Sequence, residues 1–112
     1  MTAILSQPSL LKRHSYIGGE WVAAKSGKTF AITNPANGEH IIDVADLGAE
    51  ETTLAVEAAE KAQKEWQGRT AKERALILRR WNQLILDNQD DLATLMTLEQ
   101  GKPFAEAKGG VA

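Results

Sequence analysis

Asp90 and Asp91 are the residues whose types first invite a chemical reading, because neighbouring carboxylates serve acid–base catalysis and cation binding. Adjacent residues on a helix, however, project about 100° apart, and no third ligand stands nearby in the sequence. A helix N-cap is the better reading of the pair. His14 stands alone beside Lys12 and Arg13 and reads as a solvated side chain rather than a catalytic base. Arg74, Arg79 and Arg80 could meet phosphate, but they interleave with Glu73 and Asp87 in the manner of a solvated helix face. The glycines of Tyr16-Ile17-Gly18-Gly19-Glu20 lack the G-x-G-x-x-G spacing of a dinucleotide loop, and Lys102 follows Gly101 without a Walker loop before it. With no cysteine present, a thiolate nucleophile, a thiolate zinc site and a disulfide framework are excluded within these 112 residues. No catalytic, cofactor-binding or metal-ligating residue is assigned.

The bulk properties are those of an ordinary soluble domain, 43% hydrophobic and 25% charged, long enough for a modest core. A net charge of -2 argues against a broad nucleic-acid or anionic-membrane surface. No apolar run approaches the roughly 18 residues of a membrane span. Residues 1–14 carry no charged region ahead of their apolar positions and are broken by Pro8, so they read as a leader or short docking helix and not as a signal peptide. A cytoplasmic location is expected.

The elements that would position any site are short strands followed by helices. Tyr16-Ile17 and Glu20-Trp21-Val22 flank Gly18-Gly19, the pattern of a β-hairpin. Thr29 to Thr33 predicts a third strand with Phe30 and Ile32 on one face. Asn34-Pro35-Ala36-Asn37-Gly38 predicts a reversal, and His40 to Ala45 a fourth strand, together a small antiparallel meander. Glu50 to Trp66 predicts a helix with Ala55, Ala59, Ala62 and Trp66 on a face widened by Ala58 and a stop at Gly68. Thr70-Ala71-Lys72-Glu73 has the form of a capping box. The helix after it is expected to bury Leu78, Trp81 and Ile85, flanked by Ala75, Ile77 and Leu84. Asn88 or Asp90 would cap a further helix with Leu92, Leu95, Met96 and Leu98 inward, ended by a left-handed Gly101 before Pro103. Phe104 to Lys108 opens another helix, and Gly109-Gly110 are poor continuations of it. Apolar faces on both helical stripes and an unfinished last element point to part of a larger body.

Five runs occur in one order: Ile17-Gly18-Gly19-Glu20-Trp21; Thr33 to Glu39; Ala58-Ala59 ahead of Trp66; Arg74 with Leu78 and Trp81; and Leu98-Glu99-Gln100-Gly101-Lys102-Pro103. In that register the stretch from Tyr16 to Lys108 resembles the N-terminal portion of the aldehyde dehydrogenase superfamily. Thr70 to Ala75, Asp90 to Ala93 and Met96 to Pro103 look most like its bacterial succinate-semialdehyde branch.

The resemblance implies an α/β fold, with residues 15–112 as the incomplete N-terminal part of a Rossmann-like nucleotide-binding domain behind a leader, 1–14. It implies a fragment of an NAD(P)-dependent enzyme that oxidises succinate semialdehyde to succinate. In the family a cysteine thiolate attacks the aldehyde, hydride passes to the nicotinamide, and a glutamate activates the water that hydrolyses the thioester. Those groups lie downstream, so the fragment alone is expected to be inactive and to bind neither NAD nor NADP. Its expected partners are the remainder of the parent chain, a small aldehyde and further copies in a homo-oligomer, with no nucleic acid and no membrane. Some members hold a monovalent cation at positions matching Ile32-Thr33 and Glu99; a plain helix end is the preferred reading here, Glu99 being longer than the aspartate often found there. The alternatives are another aldehyde dehydrogenase branch with a different substrate, or a self-contained helical interaction module without activity.

Overall fold

The computed structural model describes residues 5–112, and among them runs four strands followed by four α-helices. Strands β1 (Ser15–Ile17) and β2 (Glu20–Val22) form an antiparallel hairpin. Its turn places Gly18 and Gly19 at φ 60° and 85°, a left-handed pair that a side chain would strain. Strands β3 (Thr29–Thr33) and β4 (His40–Ala45) pair antiparallel, Phe30 opposite Val44 and Ile32 opposite Ile42. Their connection is closed by Asn34, whose side chain accepts from the Ala36 N–H at 2.9 Å.

The expected meander therefore divides into two separate two-stranded sheets. The linker between β2 and β3 is tied to α1 (Ala49–Gln67), where Glu51, buried in the first turn, accepts from the Lys25 N–H at 2.8 Å. The other oxygen of Glu51 accepts from the Gly48 N–H at 3.0 Å, which closes the start of the helix. One backbone bond joins the two sheets' neighbourhoods: the Ala45 N–H donates to the Arg13 carbonyl at 2.8 Å.

Helix α2 (Ala71–Asp87) starts as its sequence requires, with Thr70 Oγ1 accepting from the Glu73 N–H at 3.1 Å. The Glu73 carboxylate takes the Thr70 hydroxyl rather than reaching back to the backbone. Helix α3 (Gln89–Gln100) ends at Gly101, left-handed at φ 86°, whose N–H donates to the Thr97 carbonyl. Helix α4 (Phe104–Val111) runs through Gly109 and Gly110, so the two glycines lower its intrinsic stability without ending it.

The modest core expected from length is smaller still. Leu5, Ala24, Ile42, Ala93 and Ala107 are the buried apolar residues among those described. A compact domain of this length has a radius of gyration of about 13 Å; here it is 16.6 Å, within extents of 48 × 36 × 19 Å. The stripe on α2 is not buried as predicted: Leu78 is 51% exposed and Trp81 62%, with Ile85 half-buried. The periodicity located an apolar face correctly, but no element among the described residues buries it.

Candidate functional site

The best-built polar constellation lies at the N-terminus of α3. Asp91, 7% exposed, does not cap its own helix; its two carboxylate oxygens accept the backbone N–H groups of Ser6 (2.9 Å) and Gln7 (2.8 Å). The leader from Leu5 onward is docked on α3 by this clamp, with Leu5 buried beneath it and a single 3-10 turn at Pro8–Leu10 beyond it. Asp90 pairs with Lys108 Nζ at 3.1 Å, and Gln89 donates from Nε2 to the Lys108 carbonyl at 2.9 Å. Of the two residues expected to cap α3, Asn88 holds the N-cap position, but its side-chain amide donates to the Leu84 carbonyl and makes no cap bond to α3. Asp90 is tied to α4 instead. Both carboxylates are occupied with structure, and no substrate-sized chemistry follows from them.

The remaining candidates are dispersed. Arg79 and Arg80 are exposed on α2, as a solvated face requires, but Arg74 is half-buried and its Nε is shielded from solvent without a hydrogen-bond partner. His14 is exposed. His40, placed only in a strand by sequence, forms a pair with Asp43 at 2.7 Å. Both partners are more than half exposed, and a surface pair of this kind carries little energy. At the start of α1 Lys25 pairs with Glu50, which pushes the lysine pKa up, while the Lys25 and Gly48 N–H groups hold the Glu51 carboxyl below its usual range.

The Asn-Pro turn and the Gly-Lys-Pro run do come together. A Cβ on Gly101 would lie 3.1 Å from Pro35 Cγ, tighter than ordinary contact, and the φ of 86° there favours glycine. Glu99 is exposed in the last turn of α3, and no group of three His, Cys, Asp or Glu among the described residues could hold a metal ion.

A dinucleotide fits poorly. Pyrophosphate seeks a helix N-terminus free of negative charge, yet each of the four helices carries a carboxylate in its first turn: Glu50 and Glu51, Glu73, Asp90 and Asp91, and Glu106. No residue here is assigned to a nicotinamide cofactor, and no step is derived through one.

Residues 21–112 match the aldehyde dehydrogenase family. The chain belongs to that family. It is 54% identical over 108 residues to glutarate-semialdehyde dehydrogenase of Pseudomonas putida, and 50% identical over 107 residues to NADP(+) succinate-semialdehyde dehydrogenase of Escherichia coli. Each alignment covers 96% of this chain and 22% of the relative. The same coverage holds for the crystal structure of succinate-semialdehyde dehydrogenase from Burkholderia pseudomallei, 54% identical with a TM-score of 0.93. The two small sheets and four helices thus match the N-terminal part of an aldehyde dehydrogenase, and the chain spans about a fifth of the length of these relatives. No helix among the described residues is long and apolar enough to cross a membrane.

Proposed function

We propose that this chain is the N-terminal part of an NAD(P)-dependent aldehyde dehydrogenase that oxidises succinate semialdehyde to succinate, working in the cytoplasm as a homo-oligomer. The reaction takes an aldehyde, water and the oxidised nicotinamide to a carboxylate, the reduced nicotinamide and protons. The observation that carries the reading is identity of 50–54% across 96% of the chain to semialdehyde dehydrogenases. In this reading residues 15–112 begin the nucleotide-binding domain behind the 1–14 leader, and they contribute scaffold alone. The absence of cysteine and the acidic first turns of all four helices fit that assignment.

A neighbouring substrate is the second reading. A 3-sulfolactaldehyde dehydrogenase of Pseudomonas putida is 55% identical over 105 residues, and the glutarate enzyme stands as near as the succinate one. These names share an aldehyde carrying an acidic group, so the substrate class is an anionic aldehyde and succinate semialdehyde is its proposed member. The test is nicotinamide reduction by the polypeptide of the complete reading frame, with succinate, glutarate and sulfolactate aldehydes and each cofactor. Turnover highest with succinate semialdehyde supports the assignment; preference for another of the three replaces it, and no turnover of any aldehyde overturns it. The helical-module alternative needs both stripes, Leu78, Trp81 and Ile85 and Leu92, Leu95 and Met96, buried within the chain. Ile85 and the three on α3 are half-buried, but Leu78 and Trp81 are exposed, which counts against it.

A further inference from the structure

An asparagine can modify its own chain where the next backbone nitrogen is free to attack its side-chain carbonyl, and the four asparagines here differ in that access. Asn34 precedes Pro35, which has no N–H to give up. Asn82 lies within α2, where the following N–H belongs to the helical ladder. Asn88 ties its side-chain amide to the Leu84 carbonyl at 2.8 Å. Asn37 alone precedes a glycine, in the connection between β3 and β4, and both it and Gly38 are exposed.

The turn also favours the reaction in its geometry. Asn37 Oδ1 accepts the Glu39 N–H at 2.9 Å, which draws electron density from Cγ and lays the side-chain amide along the stretch that contains the Gly38 nitrogen. Gly38 stands at φ 74°, and a Cβ there would meet nothing within 4 Å, so no side chain screens that nitrogen. Its N–H donates to the Asn34 carbonyl at 2.8 Å, a restraint that lasts only until this exposed turn opens.

We propose that Asn37-Gly38 is a site of spontaneous covalent modification, with water as co-reactant. The Gly38 nitrogen loses its proton and attacks Asn37 Cγ; a C–N bond forms, the Cγ–Nδ2 bond breaks, and the amide nitrogen leaves with the proton as ammonia. Water then opens the cyclic imide. Cleavage between the ring nitrogen and Cγ gives an ordinary aspartate. Cleavage between that nitrogen and the Asn37 backbone carbonyl carbon gives isoaspartate, whose main chain runs through Cβ and Cγ. Either product sets a new carboxylate beside Glu39. Isoaspartate also lengthens the main chain in a turn closed by Gly38 N–H to the Asn34 carbonyl and Asn34 N–H to the Glu39 carbonyl, each at 2.8 Å. Pro35, which meets Gly101 at the end of α3, lies inside that turn, so the modification loosens the contact between the two.

The test ages the polypeptide of the complete reading frame at mildly alkaline pH and locates amide-to-acid conversion by peptide mass, with isoaspartate read by methyltransferase labelling. The proposal expects conversion at Asn37 at least about tenfold faster than at Asn34, Asn82 or Asn88, because only there does cheap local opening free the attacking nitrogen. The rate should rise with pH, isoaspartate should appear among the products, and Asn37→Gln should abolish the signal. Equal conversion at the four positions would overturn the site, and so would aspartate without isoaspartate, the mark of direct hydrolysis. An Asn37 that keeps its amide in the folded polypeptide while converting in urea would overturn it too, since the Gly38–Asn34 bond would then guard it. Amide exchange at Asn34 and Gly38 should be faster in the isoaspartate form than in Asn37→Asp; equal exchange would overturn the loosening. None of these readouts uses turnover, so the modification stands or falls apart from the dehydrogenase reading.

Discussion

The N-terminal end of α3 and the middle of α2 are neighbours in sequence and opposites in state. Around α3 the chain meets its own needs: Asp91 collects two backbone N–H groups, Asp90 and Gln89 reach Lys108, and Ala93 and Ala107 are wholly buried. On α2 an equally clear apolar stripe stands open, with Trp81 62% exposed. Periodicity announces both faces in the same way. What separates them is that the described residues supply a cover for α3 and leave the stripe on α2 exposed.

The largest expected effect breaks the comparison at its open side. In the polypeptide of the complete reading frame, Trp81→Ala should cost about 3–5 kcal/mol by urea unfolding if the face is covered there. A cost near that of an ordinary surface change, within about 0.5 kcal/mol, would leave α2 a solvent-facing helix after all.

The closed side is sharpened next by Asp91→Ala, which strands two partly buried donors and should cost about 2 kcal/mol. Amide exchange at Ser6 and Gln7 should speed up in the same variant. Unchanged exchange there would mean that Leu5 alone holds the leader in place.

Two glycines separate backbone requirement from composition. Gly101→Ala, at φ 86° and against Pro35, should lower stability by about 1–2 kcal/mol in thermal unfolding. Gly109→Ala lies within α4 with open space around it and should raise stability by about 0.5–1 kcal/mol. Equal effects of the two would show that the approach of the two turns does not depend on glycine.

The smallest effect concerns acid. Backbone N–H groups, that of Lys25 foremost, lower the Glu51 pKa below its ordinary 4.5. The unfolded state then takes up the proton first as pH falls. The stabilisation is complete above the ordinary value and is lost as pH falls through the lowered, folded one. Glu51→Gln should therefore be less stable than the parent at neutral pH and lose less on acidification. Parallel pH–stability curves would remove Glu51 from the acid limb.

Much of this was legible beforehand, for local reasons. The Gly18-Gly19 turn, the Thr70 cap and the Gly101 stop are dictated by conformations and bonds within a few residues, and the structure has all three. The split of the meander was not: the linker between the two sheets is held by Glu51 accepting the Lys25 N–H across 26 positions, a long-range tie that no local pattern announces. Asp91 misled for the same reason: an aspartate early in a helix reads as a cap, and its actual donors lie 84 and 85 residues away. Arg74 looked like its neighbours Arg79 and Arg80, and only the shielding of its Nε sets it apart. Family membership was carried by motifs in register, whereas the reaction proposed for the parent polypeptide rests on likeness to its relatives.

The most direct measurement of the central claim is nicotinamide reduction with succinate semialdehyde, made in parallel on the 112-residue chain and on the polypeptide of the complete reading frame. The account predicts turnover by the longer polypeptide alone, since this region supplies scaffold and none of the reacting groups. Hydride transfer by the 112-residue chain would contradict it outright.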